Sequence, residues 1–193
     1  RAVDKACYSD DDPEKQTRVP GQGYVFDPDP ITHARTTYGT TGFLDNNDLD
    51  SDSLTAHREL RALNDITFEG GVYKLKGPYA EIVDFESPFT GLHTNATSDF
   101  LFTRSDDNFE AANCYFLIDA SMRWINDSLG IDLGPYQYST GVRVDPHGLS
   151  GDDNSHYIPS TGQLAFGDGG VDDAEDVGVV LHEFGHGVHD WVT

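Results

Sequence analysis

The period of the hydrophobic positions changes along the chain, and each change marks an element. Residues 1 to 23 carry Asp10-Asp11-Asp12-Pro13, Pro20-Gly21 and Gly23 with no period, which predicts a polar arm on the surface. Tyr24 to Phe26 start a strand that Asp27-Pro28-Asp29-Pro30 ends. From Asp65 to Glu86 the pattern is strand-like, through Ile66, Phe68, Val72, Tyr73, Leu75, Ile82 and Phe85, with a hairpin expected at Gly70-Gly71 and a break at Gly77-Pro78. Near residue 106 the period lengthens. Phe109, Ala112, Phe116, Leu117, Ala120 and Trp124 fall on one helical face, Asp107 and Glu110 suit its start, and Gly130 suits its stop. Tyr136 to Val144 alternates again as a strand, and Asp145 to Asp153 is a Pro/Gly/Asp loop. Val177, Leu181, Phe184, Val188 and Trp191 then recur at helical steps, predicting a last helix buried on two sides. Asp172, Asp173, Glu175 and Asp176 crowd its expected first turn, where acids satisfy free N–H groups and suit the positive end of the dipole. The fold class expected is α+β, with an arm over 1–23, a β-rich layer over 24–105, and helices with further strands over 106–193.

Composition narrows the function. The 193 residues are 37% hydrophobic and 11% aromatic, enough for a packed core. Twelve basic against 34 acidic residues give a net charge of −22, which repels nucleic acid and anionic membranes. No window has the apolar length of a transmembrane helix, and no charged-then-apolar signal opens the chain. Cys7 and Cys114 allow one bridge from the arm to the body, or a buried free thiol at Cys114. Asn95-Ala96-Thr97 and Asn126-Asp127-Ser128 match the N-glycosylation acceptor pattern.

The last helix carries the chemistry. In His182-Glu183-Phe184-Gly185-His186 the histidines stand at i and i+4, one above the other on a single face, so both imidazoles can reach one zinc ion. Glu183 beside them suits a general base that takes a proton from water in metal-assisted hydrolysis. Gly185 and Gly187 each cost a helix about 1 kcal/mol against alanine, which implies that something approaches the backbone closely.

Val179-Val180-Leu181-His182-Glu183-Phe184-Gly185-His186-Gly187-Val188-His189-Asp190-Trp191 resembles the active-site helix of thermolysin-like zinc peptidases, the gluzincins with their fungalysin relatives. Asn154-Ser155-His156-Tyr157 is similar to that family's substrate-binding edge strand, and Gln163 to Gly169 to its next strand and Gly-Asp-Gly turn. The resemblance covers residues 105 to 193 and implies a secreted endopeptidase in mature form, acting on peptide or protein substrates. Asn154 is its side-chain contact to substrate, and Asp190 orients His186 from behind. It implies that these residues are the N-terminal part of a catalytic domain. The third zinc ligand of such enzymes is a glutamate on a following helix, so the other half of the domain, in the same precursor or another chain, is the expected partner. Within the motif, Asp190 is eight residues from His182, about 12 Å along a helix, too far for one ion to touch both. A metzincin reading fails because Val192 stands where its third histidine belongs.

Calcium is a further expectation. Asp48, Asp50 and Asp52 alternate as hard oxygen ligands do, and Glu59 falls at the twelfth place of an EF-hand count, although Ser53 stands where that loop needs glycine and no helix pattern precedes it. The thermolysin pattern also has an Asp four residues before the first histidine, where this chain has Gly178. The competing function is an acidic, calcium-stabilised extracellular structural or adhesive protein that keeps the fold without turnover.

Overall fold

The computed structural model describes residues 16–193, so most of the expected arm, and with it any Cys7–Cys114 bridge, lies outside the described residues. The architecture is mixed α and β, with two four-stranded mixed sheets and a long helix between them. No helix among the described residues is long and apolar enough to cross a membrane.

In the first sheet, β1 (Thr17–Val25) pairs antiparallel with β2 (Glu59–Glu69) and parallel with β5 (Asp99–Phe100), and β2 pairs with β3 (Val72–Lys74). The arm expected through residue 23 is corrected here, because β1 begins at Thr17 and lies inside the sheet. A register shift between Val19 and Gly21 absorbs Pro20, which has no N–H for the ladder. Gly21 is needed for close approach, since a Cβ there would stand 2.4 Å from Ile66 Cδ1. The β2–β3 hairpin turns on Gly70 and Gly71 at φ 62° and 84°, the backbone of a two-residue type I′ loop.

The second sheet runs β4 (Ala80–Ile82), β6 (Val142–Asp145), β8 (Gln163–Phe166), β7 (Ser155–Ile158), parallel except for the β7–β8 pair, and leaves β7 at an edge. The strand expected over Tyr136 to Val144 is four residues long and starts at Val142. The residues before it are tied by side chains instead: the Tyr138 hydroxyl donates to Gly162 O (2.7 Å) and accepts from Arg143 N (3.0 Å).

After the short helices α1 (Pro30–Ala34) and α2 (Asp52–Ala56), the long helix α3 (Asn108–Arg123) packs on β1, β2, β4 and β6 and continues through a π turn, Trp124–Ser128, to Gly130 at φ 70°. Its expected single face is too narrow. Phe109, Ala112 and Leu117 are buried, but so are Cys114, Tyr115 and Ile118, while Ala120 and Trp124 are exposed. A helix enclosed from several sides buries positions all round and loses the one-sided period. Nor does Asp107 cap it: Asp106 Oδ1 accepts from Asn108 N at 3.1 Å.

Asn113 joins these layers to the turn that precedes the last helix. Fully buried, it accepts from Phe26 N at 2.9 Å and donates to Ala174 O at 2.8 Å. Asn113→Ala would leave the buried Phe26 N–H without a partner, at about 1–3 kcal/mol, and leave Ala174 O with only the weak Cys114 thiol donor at 3.9 Å. The variant is expected to unfold at clearly lower urea with an unchanged slope, and a midpoint equal to wild type would remove Asn113 from this role.

Candidate metal and hydrolytic site

The last helix, α4 (Val177–Val192), starts at Asp176, whose Oδ1 accepts from Gly178 N (2.6 Å) and Val179 N (3.2 Å). Of the four acids expected to serve its first turn, only Asp176 caps it. Asp172, Asp173 and Glu175 belong to the preceding 3₁₀ turn, Asp173–Glu175, and its flank. The buried side of α4 is Val180, Glu183, Phe184 and Gly187, whereas Leu181 is 39% exposed, so the expected stripe is rotated by about one residue. Its partners explain the rotation, because α4 rests on α3, β7 and β8.

On the outer side His182 and His186 direct Nε2 atoms at each other, 3.1 Å apart. Two imidazole nitrogens sharing a tetrahedral zinc at 2.0–2.1 Å would stand about 3.3 Å apart, so this pair fits that ion almost as it is. Glu183 sits one residue on, 9% exposed, with Oε1 4.0 Å from His182 Nε2 and 3.5 Å from the Ser155 hydroxyl. Among the described residues, the group with metal-binding spacing here is His182, Glu183 and His186. Other histidines are committed elsewhere: His147 Nδ1 lies 2.8 Å from Asp168 Oδ1, and His156 Nε2 lies 3.0 Å from Glu86 Oε1.

Open grooves flank Glu183. One, of about 420 Å³, is bordered by Asn154, Ser155, Asp173 and His182, and another, of about 460 Å³, by His156, Tyr157, His186 and His189. The free edge of β7 runs past both. The four residues matched to the substrate strand therefore divide: Asn154 is exposed in the first groove, Ser155 turns to Glu183, His156 bonds Glu86, and Tyr157 is occupied structurally. Asp173, in the same groove wall, has its carboxyl pushed up to about 6 by burial and by Asp153 nearby.

Asp190 does not orient His186. Its Oδ2 accepts from the hydroxyls of Tyr157 (2.7 Å) and Tyr136 (3.0 Å) and from Gln137 Nε2 (3.2 Å), tying the end of α4 to β7 and to the segment before β6. Close approach to the helix backbone occurs at Gly187, where a Cβ would stand 2.9 Å from the Trp191 ring and 3.3 Å from Tyr157; Gly185 faces open space.

The Asp48, Asp50 and Asp52 trio is also corrected. Asp48 lies 3.3 Å from Arg104 Nη2, Asp50 accepts from Ser105 Oγ, and Asp52 opens α2 behind the Ser51 cap, so the three diverge. Consecutive left-handed residues, Asn46, Asn47 and Asp48, turn the loop back on itself. Glu59, the expected twelfth ligand, pairs with Arg61 inside the first sheet. Asp48 instead meets Asp45 and Asp172. Around them Arg104, its side chain 2% exposed, donates Nε to both oxygens of Glu175 (3.0 and 2.9 Å) and Nη2 to Asp45 Oδ1 (2.8 Å). Burial, with Asp48 close by, pushes the Asp172 carboxyl up to about 8. Sequence spacing had no means of finding this convergence of residues 45, 48, 104, 172 and 175.

No protein-family model matches the chain, and comparison with curated protein sequences finds no match.

His182→Ala and His186→Ala are each expected to lower zinc affinity about 100-fold or more in competition titrations, and His189→Ala to change it little. Equal losses in all three would undo the ligand assignment. The Tyr157 hydroxyl is the main cause holding the Asp190 carboxyl below its usual range. A carboxyl lowered in the folded state adds stability above its unfolded value, and that contribution is lost as pH falls through the folded value. Tyr157→Phe should move the Asp190 titration upward, as read by carboxyl ¹³C NMR, and should reduce the acid-side loss of stability that Asp190 contributes. An unmoved titration would contradict the coupling.

Proposed function

We propose that this chain carries the N-terminal part of the catalytic unit of a zinc-dependent endopeptidase of the thermolysin-like kind, secreted and acting on peptide or protein substrates. The observation that carries the reading is the 3.1 Å approach of His182 and His186 Nε2, with the largely buried carboxylate of Glu183 beside them and an open strand edge alongside. The thermolysin-like order of residues around the motif supports it, as does the strongly acidic surface, which suits a peptide substrate better than nucleic acid.

His182 and His186 would hold the zinc, whose chemistry is to polarise a peptide carbonyl and make water a stronger acid. Glu183 takes the proton of the attacking water and later delivers it to the leaving amine. The Ser155 hydroxyl, 3.5 Å from Glu183 Oε1, faces the carboxylate toward the strand edge rather than the core. A peptide laid along β7 adds its backbone to that edge as a further strand, which fixes the position of the scissile carbonyl, with Asn154 available for a side-chain contact. Three protein ligands and a water complete a catalytic zinc site. The third is assigned to sequence other than these residues, in the same protein or in a second chain, as the resemblance implies.

Glu183→Gln should retain zinc, measured by metal content after dialysis, while peptide hydrolysis by the completed enzyme falls about 10²- to 10⁴-fold. Zinc retention with undiminished, chelator-sensitive turnover would assign the proton transfer to another group.

A further inference from the structure

We propose that Asp45, Asp48 and Asp172 form a calcium site, separate from the histidine pair. One carboxylate oxygen from each lies within 4.8 Å of the other two, the spacing expected around a hard cation bound at about 2.3–2.6 Å. Acidic side chains gather on proteins without any ion, so the deciding group is Asp172. It is 4% exposed, and its buried Oδ1 has no hydrogen-bond partner. Without an ion the Asp172 carboxyl shares a proton with Asp48, because the crowded acids cannot ionise together, and Oδ1 still goes unsatisfied; a cation among the three takes the place of that proton and lets all three ionise.

Arg104 does not fill that need. Its Nε is given to Glu175, Nη1 to the Asp45 carbonyl, and Nη2 to the carboxylates of Asp45 and Asp48, and none of its hydrogen bonds reaches Asp172. A single guanidinium thus faces Asp45, Asp48, Asp172 and Glu175. The donors are all oxygens, which selects a hard ion over zinc, and calcium tolerates an irregular loop better than magnesium with its demand for a near-ideal octahedron. The Asp48 side chain is 40% exposed, so ion and water enter from that side. Binding would tie the loop containing Asp45 and Asp48 to the turn that leads into the Asp176 cap of α4, four residues beyond Asp172.

The test is calorimetric titration of the metal-stripped protein with calcium chloride, beside thermal unfolding with and without calcium, in wild type, Asp48→Asn, Asp172→Asn, Asp50→Asn and His182→Ala. One site is expected in wild type, with the unfolding midpoint rising on the order of 5 °C at about 100-fold excess over Kd. Asp48→Asn and Asp172→Asn should each weaken binding about tenfold or more, while Asp50→Asn and His182→Ala leave it unchanged and magnesium binds more weakly. Should Asp172→Asn fail to fold, Asp48→Asn, at the open side of the cluster, carries the same comparison. No calcium binding up to about 10 mM, or an identical response in wild type and both cluster variants, would overturn the proposal.

Discussion

The buried guanidinium of Arg104 is the contact on which the approach to the histidine helix depends. It holds the loop containing Asp45 and Asp48 from one side and Glu175 from the other, and Glu175 is one residue before the α4 cap. Burying one cation among several carboxylates is a demanding arrangement, because desolvation opposes the attraction and removing either partner leaves a charge stranded. Burial drives the Glu175 carboxyl upward and Arg104 opposes that rise. The start of α4 is therefore set by electrostatics as much as by packing, and the histidine pair inherits its position from it.

The local chemistry was legible in the sequence where one element contains it. The i, i+4 histidines, the glutamate between them and the Gly70-Gly71 turn need only short-range spacing, and the backbone places each where that spacing implies, while the strand at Ser155 was legible only through the resemblance. The misses share a different cause. Thr17 to Gly23 looked like an arm because Pro20 and two glycines argue against a strand, yet a register shift and the overlying Ile66 and Leu63 make those residues the ones that fit. The period of α3 was blurred because neighbours enclose it on several sides. Asp190 was matched to His186 by helical spacing, while its real partners, Tyr136, Gln137 and Tyr157, come from segments more than thirty positions away.

The candidate site follows the same division. Glu183 is largely buried, and the little of it that is exposed borders both grooves. Its neighbours come from β7, whose register against β8 is fixed by four residue pairs running from Ser155–Phe166 to Ile158–Gln163. Alternation along that short strand sends Ser155 and Tyr157 toward α4 and His156 toward Glu86. A slip of one position would exchange these partners, so the sheet's ladder acts directly on the surroundings of the carboxylate.

Gly187 has a wider meaning in this light. It lies on the buried side of α4, under the rings of Tyr157 and Trp191, and its missing side chain lets strand and helix come together. The residue is a gauge: it sets the separation of β7 from α4. Any larger side chain would meet the Trp191 ring first and Tyr157 next, wedging helix and strand apart by about the thickness of a methyl group. A single hydrogen in place of a side chain thus fixes how closely the strand edge and the helix that carries both histidines can stand.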